Sequence, residues 1–150
     1  MAARGKEEEE LRQLSVEMRF LEQTAETLQQ RMSMLNAAIT DLTYSNMTLS
    51  GIEKEKENAE LLVPIGGSSY VKVKLSESDK VIVGIGAGVS FEKTMTEAKN
   101  IVKERLEELE KTMVSAQQQF RQVAERINTG RNRLESLLAS VREGKAPSDV

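Results

Sequence analysis

The 150-residue sequence contains no cysteine, no histidine and no tryptophan. Without cysteine and histidine, disulfide bonds, thiolate or imidazole metal sites and catalysis by either side chain are excluded. Aromatic residues are also scarce, at 3%, whereas 30% of the residues are charged. This composition suits long solvated helices better than a thick globular core, so it disfavours a compact single-domain enzyme.

Long apolar runs and a strong charge imbalance are missing as well. The longest apolar run, residues 81–89, is far too short to span a bilayer, and residues 1–10 contain no stretch typical of a signal peptide. The net charge is only −3, and the sequence has no basic stripe with interleaved aromatic residues. We therefore expect a cytoplasmic protein that binds neither membranes nor nucleic acid.

Two long stretches repeat apolar residues at alternating steps of three and four, the pattern of a coiled-coil seam. The first seam runs from Leu11 to Leu49 and the second from Met95 to Val141. The pattern predicts helices over 11–58 and 94–142, with a flexible segment 1–10 before the first helix and a disordered tail 143–150 after the second. We expect the two helices to pair antiparallel within the chain, because an ordinary bundle would need a further helix.

The segment between the helices, residues 59–93, changes to β-branched residues separated by turn-forming residues. This pattern predicts two successive β-hairpins, with strands at 61–65, 70–75, 80–85 and 89–93. Four short strands cannot close a barrel or hide their own edges, so we expect strands of other chains to complete the sheet. The predicted oligomer-interface residues on these hub strands are Val71, Val73, Leu75, Val81, Val83 and Ile85.

The end of the second helix carries a predicted binding surface. If Leu49 lies opposite Met95, residues beyond Arg133 face only the charged segment 1–10, which offers no apolar counterpart. We expect four aliphatic residues to be exposed there and to bind a partner, namely Leu134, Leu137, Leu138 and Val141. Gly130, just before them, would loosen the helix. Two alternatives remain: Gly130 allows close approach to Leu14, or the first helix extends toward residue 4 and shields the aliphatic residues.

No cluster of residues indicates catalysis, a metal or a cofactor. The glycine-rich stretch 84–89 lacks the spacing and the charged partners of a nucleotide-binding loop, so we interpret it as a turn. The glutamates at 7–10 are interpreted as solvated surface charge, because nothing there separates their pKa values. The sequence therefore predicts a protein that is not an enzyme and works through binding alone.

The order helix, double hairpin, helix, with LVPIG at 62–66 and VIVGIGAGVSFEKT at 81–94, resembles the α-class subunits of prefoldin, a co-chaperone. The resemblance implies a hexamer in which two α-class and four β-class subunits share a double β-barrel, from which six coiled coils project. It also implies that non-native client proteins are held without ATP and passed to a group II chaperonin.

The predicted function is thus that of an ATP-independent chaperone, or holdase, whose several weak apolar surfaces engage one unfolded chain together. The alternative from another class is a coiled-coil scaffold or spacer that binds defined partners. A third possibility is a homo-oligomer or filament built from this chain alone. The unmatched aliphatic residues near the end of the second helix favour the chaperone, because a spacer would not need them.

Overall fold

The computed structural model describes residues 2–144. In chain order these residues form helix α1 (Ala2–Glu53), strands β1 (Glu60–Gly66), β2 (Ser69–Lys74), β3 (Lys80–Gly86) and β4 (Val89–Thr94), and helix α2 (Met95–Gly144). Two long helices with two small hairpins confirm the predicted α+β, mostly α fold class. The described residues divide into a helical unit, which contains those up to Leu35 and from Thr112 onward, and a hairpin unit, Asn36–Lys111.

The helical unit consists of antiparallel segments of α1 and α2. Ion pairs join Glu10 to Arg133 and Glu17 to Arg126, so a step of seven residues forward on one helix matches seven backward on the other. Every seam position predicted in this unit is buried or partly buried, which confirms the coiled-coil periodicity. The buried apolar residues of the unit are Met18, Leu21, Leu28, Ala116, Leu137 and Val141.

Helix α1 begins at Ala2, earlier than the predicted start at residue 11. The glutamates in this region support the additional turns: Glu8 pairs with Arg4, and Glu9 with Arg12, one turn along the same helix. At the other end α1 stops at Glu53 rather than at residue 58. Helix α2 extends to Gly144, two residues past the predicted end. The rest of the predicted disordered tail lies outside the described residues.

The hairpin unit contains two separate two-stranded antiparallel sheets, β1–β2 and β3–β4. Each hairpin turns through two residues with positive φ, Gly67–Ser68 and Ala87–Gly88. Positive φ at both central residues gives the turn the twist that matches the two strands it joins. The four predicted strands and the glycine turns between them are therefore confirmed, with bounds shifted by one residue at most of their ends.

The core of the hairpin unit lies where β3 packs against both helices. The cluster consists of Leu49, Val83, Met95, Ala98 and Val102, and Ala98 is completely buried. The amide of Glu97 donates a hydrogen bond to Thr94 Oγ1 at 3.2 Å, which caps the start of α2. In the part of the chain that the structure describes, neither helix is long and apolar enough to cross a membrane.

Candidate functional site

The two hairpins are repeats of each other, twenty residues apart. Glu60 pairs with Lys74 as Lys80 pairs with Thr94, and the last pairs, Gly66 with Ser69 and Gly86 with Val89, also correspond. Both ladders shift register just before the turn, and the positive φ angles fall at equivalent positions. Sequence reasoning missed this repeat, although LLVPIG at 61–66 and VIVGIG at 81–86 carry it.

The two hairpins differ in how one equivalent face is covered. We call the face that carries Val63 the Val63 face, and the equivalent face of the second hairpin the Val83 face. In the first hairpin Val63 lies opposite Val71, and these side chains are 44% and 43% exposed. At the equivalent position of the second hairpin, Val83 is only 9% exposed, because it packs into the cluster with the two helices. Arg105 of α2 also donates a hydrogen bond to the Gly84 carbonyl at 2.7 Å. The second hairpin is therefore held by its own chain, whereas the Val63 face is open.

The predicted interface residues differ in how exposed they are. Val71 and Ile85 are exposed, whereas Val73, Leu75 and Val81 are partly buried. The expectation that Val83 would be available to another chain is wrong, because the alternation along β3 turns it toward α1 and α2 of its own chain. Several further apolar residues of the hairpins are exposed but were not predicted from the sequence, namely Leu62, Val63, Ile65, Tyr70, Ile82, Val89 and Phe91.

The opposite face of the first hairpin, which we call the Tyr70 face, combines apolar and basic side chains. Leu62 lies opposite Lys72 and Pro64 opposite Tyr70, and all four are exposed. Lys74 follows Lys72 on the same face, since side chains alternate between the faces of a strand. Glu60, opposite Lys74, is exposed on this face as well. The Tyr70 face is thus exposed along its length, whereas Leu61 and Val73 of the Val63 face are partly buried.

The residues expected to form a binding surface near the end of α2 are mostly covered. Leu137 and Val141 are 2% and 9% exposed, and Leu134 is partly buried. Only Leu138, at 39%, is exposed as expected. The predicted exposure is therefore wrong for three of the four residues, because α1 extends to Ala2 and shields this part of α2. That shielding was one of the alternatives left open by the sequence.

Charged and polar contacts join the two helices over these covered aliphatic residues. Arg133 donates two hydrogen bonds to the Glu10 carboxylate, at 2.8 and 3.0 Å, and Ser140 donates to both oxygens of Glu7 at 3.1 Å. The hydrogen bonds from Arg133 lower the pKa of Glu10, and its positive charge adds to this effect. Two of the glutamates interpreted as solvated charge therefore bind the other helix.

Gly130 lies at the crowded contact between the helices. A Cβ at this position would clash with the Met18 sulfur and come within 3.7 Å of Leu14 Cδ1. The glycine is buried and helical. The structure therefore supports the alternative that Gly130 allows the other helix to approach closely, and Met18 is the main neighbour.

Exposed apolar side chains in the helical unit lie away from the seam. Val16 and Phe20, one turn apart on α1, are 64% and 66% exposed. Met34 and Val114 are also exposed. Sequence reasoning missed them because the seam pattern assigns every off-seam position to the solvated surface.

Comparisons with known proteins agree along most of the chain. A family model described as "Prefoldin subunit" matches residues 21–140. A Prefoldin subunit alpha of Methanococcoides burtonii is 31% identical over 120 residues, covering 80% of this chain and 87% of that protein. The Prefoldin subunit alpha of Methanosarcina mazei is 33% identical over 141 residues, covering 92% and 96%.

A solved structure shows the same fold. It is a chain of filamentous PFD from Methanocaldococcus jannaschii, determined by cryo-EM, which is 26% identical to this chain with a TM-score of 0.65. The match covers 75% of this chain and 93% of that chain. Since the family model, the curated relatives and the fold all agree with the helix, double hairpin, helix order, the chain belongs to the prefoldin family.

Proposed function

We propose that this chain is an α-class subunit of a cytoplasmic, ATP-independent chaperone that captures non-native proteins and passes them to a group II chaperonin. The observation that carries the proposal is the open Val63 face in a member of the prefoldin family. A hairpin that its own chain leaves uncovered indicates a subunit of an assembly, since isolated two-stranded sheets are marginally stable.

The assembly is proposed to contain two α-class and four β-class subunits. The Val63 face would supply the apolar contact of the shared hub, with Val71 opposite Val63 on the neighbouring strand. Ile85, Val89 and Phe91 of the second hairpin, each about half exposed, would join the same interface. Among the described residues, each of the four strands has one partner, so each also offers a free edge for strand addition.

Client proteins are proposed to bind the helical unit. Val16, Phe20 and Leu138 supply apolar side chains that are already exposed. Leu134, Leu137 and Val141 would contact a client only after the last turns of α2 separate from α1. This separation would break the hydrogen bonds from Arg133 to Glu10 and from Ser140 to Glu7. Full burial of each aliphatic side chain contributes about 1.5–3 kcal/mol.

Weak contacts of this kind are sufficient when several subunits are fixed around one client. After the first contact, each later contact is effectively intramolecular, which raises the overall affinity without any new surface. Release needs no energy from this chain if the client moves to a chaperonin that binds it more tightly. The proposed function therefore requires a stable hub and several copies of the helical unit.

The test is aggregation of a chemically denatured protein in the presence of the chain co-assembled with a one-hairpin β-class subunit. We expect native mass spectrometry to show a hexamer that suppresses aggregation. The double variant Val16→Ser, Phe20→Ser should keep this mass and lose much of the protection, whereas the matched variant Gln23→Ser, Gln30→Ser should retain it. Removing residues 131–150 should also abolish protection without changing the stoichiometry.

Two results would contradict the proposal. Full protection by both the Val16, Phe20 variant and the truncated chain would show that clients bind elsewhere. A wild-type assembly that binds one partner saturably and protects no client would instead be a coiled-coil scaffold.

An assembly of this chain alone is the second candidate, because the structural relative from Methanocaldococcus jannaschii is filamentous. The open strand edges and the Val63 face could pair with further copies. Native mass spectrometry and negative-stain electron microscopy of the chain with and without a β-class subunit distinguish the two forms. Filaments that persist when the β-class subunit is in excess would favour the homo-oligomer.

A further inference from the structure

The Tyr70 face of the first hairpin remains unused when the Val63 face is occupied by the proposed hub. We propose that this second face docks an acidic polypeptide segment that carries apolar side chains, belonging to a protein outside the assembly. The surface consists of Leu62, Pro64 and Tyr70, with Lys72, Lys74 and Glu60 beside them. Leu62 and Tyr70 are 63% and 60% exposed.

The position of the face supports a role separate from assembly. Successive side chains of a strand point to opposite sides, so Leu62 and Val63 cannot be covered by one flat contact. If the Val63 face meets neighbouring subunits, as the proposed function requires, Leu62 and Tyr70 point away from that contact. The inference rests on the proposed function only in this assignment of the two faces.

The second hairpin provides an internal comparison for the charge of the surface. Twenty residues after Tyr70 and Lys72 stand Ser90 and Glu92, and Gly84 replaces Pro64. There Glu92 forms an ion pair with Lys80 at 3.9 Å, so the charges of that face compensate each other. In the described part of the chain, by contrast, no ion pair is formed by Lys72 or Lys74. Glu60 is also exposed on the Tyr70 face, opposite Lys74, so the two lysines leave this face a net charge of +1. This is the charge complementarity that favours an acidic occupant.

The apolar part of the surface favours a polypeptide over nucleic acid. Three of its six side chains are apolar, and only one is an aromatic ring on which a base could stack. Two lysines neutralise few phosphates, and affinity for nucleic acid depends mainly on phosphate neutralisation. Leucine, proline and tyrosine side by side suit the apolar side chains of a peptide, and the lysines at the rim orient it through its carboxylates.

The experiment measures fluorescence anisotropy of a labelled peptide of alternating glutamate and leucine added to the intact assembly. A peptide with lysine in place of glutamate is the charge control. Lys72→Glu with Lys74→Glu should weaken binding at least about tenfold and lower its salt dependence. Lys54→Glu with Lys56→Glu makes the same net charge change at exposed positions of the same unit and should leave binding unchanged.

The apolar contribution is tested separately. Leu62→Ser with Tyr70→Ser should weaken binding about tenfold or more, whereas Ile82→Ser, at the position equivalent to Leu62, should have no effect. Native mass and aggregation suppression are measured for every variant, so that a failure of the hub or of client capture is recognised independently. All variants are expected to keep the assembled mass.

Three outcomes would overturn the inference. The first is equal weakening by the Lys72, Lys74 and the Lys54, Lys56 variants, which would reduce the effect to net charge. The second is unchanged binding in both Tyr70-face variants. The third is tighter binding of single-stranded nucleic acid than of the acidic peptide, lost in the same variants, which would assign the surface to nucleic acid.

Discussion

The two hairpins have the same length, register and turn conformation, yet among the described residues only the second contributes a side chain, Val83, to the buried cluster with the helices. The burial of their strands is equivalent at every position except one, where Val63 is exposed and Val83 is buried. Strand propensity and turn chemistry thus produce both hairpins, whereas packing against Ala98 and its neighbours distinguishes them. The second hairpin is therefore anchored to the helices through Val83, whereas Val63 of the first hairpin stays exposed.

Replacing Val63 or Val83 by aspartate should reveal the largest difference between the two hairpins. Val83→Asp would place an unpaired carboxylate among Leu49, Met95 and Ala98, at a cost of about 3–5 kcal/mol, so we expect the hairpin unit to unfold. Val63→Asp should keep the circular dichroism of the helices but prevent assembly, as measured by native mass spectrometry. Normal assembly of the Val83→Asp variant would show that the two hairpins are not distinguished by this packing.

The hydrogen bond from Arg105 to the Gly84 carbonyl supports the second hairpin alone. Arg105→Gln should lower the free energy of unfolding by about 1 kcal/mol, because a charged donor to the backbone of β3 is lost. Denaturant unfolding measures the change. Arg121→Gln, an exposed arginine of α2, is the matched control and should be neutral. An equal effect of the two substitutions would show that the hydrogen bond from Arg105 does not stabilise the second hairpin.

The turns allow a finer comparison. Ala87 and Ser68 have φ angles of 51° and 60°, which cost a residue with a Cβ about 1–2 kcal/mol. Glycine at this position would avoid the cost, but the greater entropy of glycine in the unfolded chain offsets part of the gain. Ala87→Gly should therefore raise the free energy of unfolding by about 0.5 kcal/mol. Ser68→Gly should instead raise the fraction assembled, measured by native mass at limiting subunit concentration. Destabilisation by Ala87→Gly would contradict the prediction.

A pH titration should reveal the contribution of Glu10 to the helical unit. The pKa of Glu10 is lowered from 4.5 by its hydrogen bonds with Arg133, so its stabilising effect is present above pH 4.5 and is lost as the pH falls through the lowered value. Glu10→Gln should therefore reduce stability at pH 7 and lose its difference from wild type in acid. Circular dichroism melts from pH 7 to 3 measure this. A difference from wild type that does not decrease as the pH falls would contradict the prediction.

The elements could be predicted from sequence because each depends on a local pattern. The steps of three and four predicted the coiled-coil positions in both units and placed the start of α2 within one residue. The glycine-rich turns located the strands within about a residue. These features follow from helix and strand periodicity and from turn conformation, which neighbouring residues determine.

Burial at the candidate sites could not be predicted in the same way. Period-two alternation shows that Val81 and Val83 share a face, but not that this face packs on α1 and α2. Likewise, the glutamate run at 7–10 looks solvated in sequence, whereas Glu7 and Glu10 reach Ser140 and Arg133, 133 and 123 residues away. Such long-range contacts depend on the tertiary register, which decides that Leu137 and Val141 are covered.

The twenty-residue repeat makes the chain modular. Glu60 and Lys80 occupy the same position at the start of their hairpins, so excision of residues 60–79 would join Ala59 directly to Lys80 without shifting strand register. The shortened chain would keep the hairpin that packs on its own helices and lose the open one. Conversely, insertion of one such twenty-residue segment adds an exposed hairpin to a chain whose other hairpin packs on its own helices.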